Sequence, residues 1–183
     1  MKFSKIFLVI FFIINFFSSA QSSQENILDN LFNQLEKVSN QKSAAFLETK
    51  IWSIWNEHPT NNKLTERLEF GTELMQYGDY NYALKVFDNI LATDPEWSEA
   101  WNKRATLFFF MKNYPQSLND IDVVLSIEPR HFGALSGRAR IFIQFKEYQK
   151  AINNLKKAKK IYPTIRNNNL IKELEKIVKG LSV

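Results

Sequence analysis

Three prolines stand at one spacing in this chain: Pro95, Pro129 and Pro163, 34 residues apart each time. Tyr80, Tyr114 and Tyr148 keep the same interval, and so do Ala83, Ser117 and Ala151. A period of this length marks one supersecondary unit repeated along the chain, and such a unit cannot bury its apolar face alone. Each period splits into two stretches of helical character. The expected pairs are Leu64–Tyr77 with Tyr80–Thr93, Ser98–Met111 with Tyr114–Ile127, and Phe132–Phe145 with Tyr148–Ile161, in repeats spanning 64–97, 98–131 and 132–165. Proline ends each second helix because it lacks an N–H and clashes with the preceding turn. Gly78-Asp79 supplies a permissive hinge in the first repeat; Lys112-Asn113 and Lys146-Glu147 fill the same place in the others.

The flanks read differently. Lys2 and Lys5 precede a run of 12, Ile6 to Phe17, that is apolar apart from Asn15. Ser18 and Ala20 then place small residues before a cut at Gln21. Residues 1–20 are thus expected to be a cleaved signal peptide that exports the chain to a bacterial periplasm or cell envelope; retention as an anchor is the competing outcome. The run is short for a bilayer span, which takes about 20 apolar residues. Leu28, Leu31, Phe32 and Leu35, then Ala44, Leu47, Ile51 and Trp55, recur at helical spacing. Residues 21–63 are therefore expected to form a helical hairpin that caps the apolar flank of the first repeat. Residues 166–183 carry Leu170, Ile171, Leu174, Ile177 and Val178 on one stripe, the pattern of a C-terminal capping helix.

Composition narrows the chemistry. Hydrophobic residues are 45% and charged residues 23%, as in a globular chain. There is no cysteine, which removes disulfides, thiolate metal sites and a lipidated cysteine anchor. The formal charge of +5 is too small to imply nucleic acid, but its distribution is uneven. Residues 21–100 hold 6 basic and 13 acidic side chains, and residues 130–183 hold 13 and 3. Lys150, Lys156, Lys157, Lys159 and Lys160 form a basic cluster on the last repeat helix and lack the aromatic interleaving of a single-strand binder. His58 and His131, the two histidines, have no His-Glu-x-x-His setting and read as surface or rim residues. There is no phosphate-binding glycine loop and no nucleophile elbow. No enzyme activity, cofactor or metal is expected.

The repeat resembles the tetratricopeptide repeat. Gly71, Leu74, Tyr80, Ala83, Phe87 and Pro95 match its motif in the first copy. Trp101, Ala105, Phe108, Tyr114, Ser117, Ile121 and Pro129 match in the second, and Leu135, Ala139, Phe142, Tyr148, Ala151, Leu155, Ala158 and Pro163 in the third. Small residues let the two helices of a hairpin approach and aromatics fill the gaps. Arg67, Ile90 and Val124 depart from the motif. The resemblance implies a right-handed α-solenoid of three hairpins with a concave face lined by the first helices. It also implies a non-catalytic scaffold that binds a peptide or protein partner there.

The groove positions that the resemblance carries over include Asn102, Thr106, Phe109, Phe110, Arg140 and Gln144 as partner contacts, with Gly133, Ser136 and Gly137 as a shallow floor. Phe109 has packing against a neighbouring helix as its alternative. Arg104 and Arg138 stand where the ideal repeat is apolar, and Asp120 is expected to pair with one of them. The carboxylate clamp of chaperone-binding repeats is absent, because its positions hold Leu68, Thr72, Lys103, Gly133 and Gly137. Two other readings stay open. The basic C-terminal third could dock on an anionic envelope surface, or the acidic front of one copy could meet the basic rear of another.

Overall fold

A computed structural model describes residues 23–180, and among these every regular element is an α-helix. Residues 23–37 form α1. The remaining helices are α2 (Gln41–Asn56), α3 (Asn62–Tyr77), α4 (Tyr80–Thr93), α5 (Ser98–Phe110), α6 (Tyr114–Ile127), α7 (Phe132–Gln144), α8 (Tyr148–Ile161) and α9 (Asn168–Val178). The expected signal segment, residues 1–20, lies outside the described residues. No helix among them is long and apolar enough to cross a membrane.

Helices α3 to α8 form three antiparallel hairpins stacked in order, each second helix packing on the first helix of the next hairpin. The small-residue positions set the distance inside each hairpin. Gly71 faces Phe87, and a Cβ there would stand 2.6 Å from the ring. In the second hairpin Ala105 faces a smaller Ile121, and the Ser117 hydroxyl donates to the Ala105 carbonyl at 2.7 Å, so a serine is buried without losing its partner. Ala139 and Ala151 are fully buried in the third. The hinges share one geometry: Gly78, Lys112 and Lys146 all have positive φ, at 85°, 58° and 58°. Glycine takes this conformation freely, whereas a residue with a Cβ is strained there by about 1 kcal/mol or more.

The N-terminal hairpin does not cap the first repeat. Leu31, Phe32, Leu35, Leu47, Ile51 and Trp55 bury their apolar faces with Phe132, Leu135, Ala158 and Tyr162, all from the third repeat. The hairpin therefore lies along the edge formed by the inter-repeat turns. The physical reason is what those turns offer. Trp97 Nε1 donates to the Trp55 carbonyl at 3.0 Å, and the His131 ring stacks on the Trp55 ring with centroids 4.0 Å apart. The first repeat instead presents Arg67 and the exposed pair Phe70 and Tyr82, ring against ring at 5.8 Å. At the other end α9 covers the third repeat as expected, burying Ile171 and Leu174 against Ile152 and Leu155.

Candidate partner-binding surface

Neighbouring hairpins are fixed in register by two arginines. Arg104, on α5, donates through Nε and Nη2 to the two Asp120 oxygens at 2.8 and 2.9 Å, and through Nη1 to Asp88 at 2.8 Å. One guanidinium thus joins α4, α5 and α6. Arg138 repeats the arrangement one period later, donating to Asn154 at 2.8 Å and to Asp122 at 2.7 Å. The planar fork of arginine suits this bidentate contact. Of the two pairings open to Asp120 from the sequence, the one with Arg104 forms.

Both histidines have structural partners, which corrects their reading as surface residues. His131 is fully buried. Its Nδ1 accepts the Ala134 N–H at 3.1 Å and so caps α7, which leaves the proton on Nε2 to be donated to Glu99 Oε2 at 3.0 Å. Glu99 is also fully buried; it accepts from Asn102 Nδ2 at 3.1 and 3.2 Å and from Lys103 Nζ at 3.0 Å. A buried carboxylate needs such partners. Burial alone would raise its pKa, but the bonds from His131 and Lys103 outweigh it and hold Glu99 below the ordinary carboxylate value. His58 follows the same logic: Nδ1 accepts the Asn61 N–H at 3.0 Å and Nε2 donates to Asp94 at 2.7 Å, which lowers the Asp94 pKa. The signal for His131 was in the repeat itself. Trp97, His131 and Ile165 share one repeat position, and its other two occupants are apolar.

These contacts divide the expected groove residues. Asn102 is buried and committed to Glu99, so it is not a free contact. Phe109 takes the alternative open to it and packs into the second-repeat core beside Tyr114, with centroids 5.6 Å apart: it stands one helical turn after the buried Ala105 in the same core, whereas Leu107, on the opposite side of α5, joins the first-repeat core. Thr106 is half-buried, its hydroxyl donating to the Asn102 carbonyl at 2.9 Å. Phe110, Arg140 and Gln144 are exposed. Gly133 lies against Trp52, since a Cβ there would stand 2.6 Å from the indole, so α2 covers the floor at the first turn of α7. A separate cleft of about 950 Å³ runs between the N-terminal segment and the inter-repeat turns, lined by Trp55, His58, Asp94, Trp97, Glu128 and Arg130 among others. None of the six expected groove residues lines it.

No protein-family model matches the chain. It is 37% identical over 103 residues to a TPR repeat-containing protein of Rhizobium etli, a match covering 55% of this chain and 49% of that protein. The chain thus spans about half the length of this relative. Among solved structures, it superposes on the first TPR domain of Spaghetti (RPAP3) bound to an HSP90 peptide. That match has a TM-score of 0.61 and 16% identity, and covers 64% of this chain and 94% of that one. It also superposes on the Yersinia enterocolitica type III secretion chaperone SycD in complex with a peptide of the translocator YopD. The TM-score there is 0.57 at 15% identity, with coverage of 68% and 96%. With a 34-residue period and three stacked hairpins, the chain has the fold of these tetratricopeptide repeat domains.

Proposed function

We propose that the chain is an exported, non-catalytic scaffold that binds a peptide or protein partner on the open part of its hollow face. Phe110, Arg140 and Gln144 are the side chains offered there, with Thr106 at the margin. The observation that carries the reading is Phe110, a phenylalanine that stays 51% exposed on a well-packed helix although its ring meets Tyr80 at 6.4 Å and Phe109 at 6.2 Å. Aromatic anchors of this kind, beside a guanidinium able to grip a carboxylate or carbonyl, make effective binding contacts. The peptides held by the RPAP3 and SycD domains support the choice of partner class. Export rests on the sequence of residues 1–20.

Peptides selected from a displayed library against the wild-type chain test the surface. The double variant Phe110→Ala with Arg140→Ala is expected to bind them at least tenfold more weakly by calorimetry. Unchanged affinity overturns the hollow-face assignment. Intact mass of the secreted protein tests export, and a chain beginning at Gln21 is the expected result.

A further inference from the structure

The three hairpin hinges lie side by side. Tyr80 of the first stacks on Phe110 of the second, and Tyr114 of the second meets Phe145 of the third at 5.7 Å. Each hinge carries an exposed apolar residue at one repeat position: Tyr77, Met111 and Phe145, with 88%, 37% and 43% of their surface open. Helix α9, tied to α8 by Lys156 and Glu175, runs back toward this edge and ends in Ile177 and Val178, 42% and 47% exposed. Single exposed apolar side chains need no explanation, but their collection along one edge does.

The charges between them have a sign. Lys112 and Lys146 follow Met111 and Phe145, and Lys179 follows Val178. Both hinge lysines sit in the left-handed conformation that glycine serves at Gly78 without strain. Of the acids of the edge, Asp79 keeps its charge at the first hinge, where it accepts the Tyr82 N–H at 3.3 Å, while Glu147 is ion-paired with Lys150. At the second and third hinges and the end of α9, apolar tips stand beside Lys112, Lys146 and Lys179, which form no ion pair among the described residues.

We propose that this hinge edge rests on an anionic lipid bilayer. The tips of the three hairpins and of α9 enter the interfacial layer, and the lysines meet the phosphate headgroups. Aromatic and long cationic side chains share this position at membrane surfaces because each has an apolar body and a polar end. The contact is peripheral, since no described helix can span. The edge is a row of tips, one from each hairpin and one from α9, and a fluid interface admits each tip independently. Two copies meeting edge to edge by a two-fold axis through the middle hinge would set Lys112 against Lys112, which like-charge repulsion opposes. Phe110 stands where this edge meets the hollow face, but Met111, Phe145 and the hinge lysines are no part of the scaffold reading, so the proposal goes beyond that reading and can fail without it.

The absence of cysteine gives a direct test. The full chain carrying Met111→Cys or Phe145→Cys, each labelled with an environment-sensitive fluorophore, is mixed with phosphatidylcholine vesicles with and without phosphatidylglycerol. Asn153→Cys, exposed on α8, is the control. Both hinge labels are expected to shift to the blue on phosphatidylglycerol vesicles, with no shift at residue 153. Lys112→Gln with Lys146→Gln, checked for folding by circular dichroism, is expected to bind roughly thirtyfold more weakly. Vesicle binding without a shift at both hinges overturns the proposal and points to residues 1–20 or the α8 lysines. So does no binding at all, or a hinge shift that needs only higher protein concentration, which would mean a second copy.

Discussion

Arg104 holds three helices through one side chain, and the three ends of its fork are not equivalent. Asp120 is almost wholly buried, while Asp88 is half open to solvent, so the pair with Asp120 matters more. Replacing Arg104 by Met leaves a buried carboxylate alone and is expected to cost about 3 kcal/mol or more. Asp120→Asn is milder, because the amide oxygen still accepts one bond. The protein already runs this experiment one period later, where Asn154 accepts from Arg138 at 2.8 Å. About 1–2 kcal/mol is the expected loss. Urea unfolding of both variants checks the order, and an unchanged midpoint for Asp120→Asn would remove the clamp from the account of stability.

At the scale of the helix pair, the small-residue position and the residue opposite it act as one unit. Gly71 is paired with the bulkiest partner, Phe87, while Ala105 and Ala139 are paired with Ile121 and Leu155. Gly71→Ala drives a methyl into the fully buried Phe87 ring, and overpacking of this kind costs about 1–3 kcal/mol. Gly71→Ala with Phe87→Leu is expected to recover most of that loss in thermal unfolding, because it recreates the pairing of the third repeat; no recovery would mean that Gly71 serves its backbone and not its neighbour. Such pairs were readable from the sequence, because a strict period tells which residues share an environment. The same period exposed Arg104 and Asp120. It did not tell where α2 would go: Ala44, Leu47, Ile51 and Trp55 declare a buried face but not the surface that buries it. Nor did it separate Phe109 from Phe110, since adjacent helical residues differ by a rotation that only the neighbouring helix resolves. His131 was misread because a polar residue type was weighed without the apolar position it occupies.

The molecule as a whole departs from a simple stack. In a linear solenoid each repeat touches only its neighbours, so stability is a sum of local terms and the ends open first. Here the segment before the first repeat reaches both inter-repeat turns and the turn that follows the third repeat. His58 bonds Asp94, Asp29 bonds Arg130 beside Glu128, and Glu48 accepts from the Tyr162 hydroxyl at 2.9 Å. Asp94, Glu128 and Tyr162 occupy one repeat position, so a single strap is fastened at three equivalent points. Its centre is Trp55, which stacks on His131, takes the Trp97 N–H on its carbonyl, and packs on Phe32 and Phe132. Opening the third repeat therefore strips contacts from the turn between the first and second. The wild-type chain should unfold in one urea transition, with the slowest-exchanging amides of α4, α6 and α8 protected alike. Trp55→Ala removes about 3–5 kcal/mol at the junction. If the strap supplies the coupling, hydrogen exchange in that variant will show α7 and α8 opening at lower urea than α3 and α4, and the circular dichroism transition will broaden or split. A uniform loss of protection across all three repeats, with the transition still single, would instead assign the coupling to the Arg104 and Arg138 bridges between adjacent hairpins.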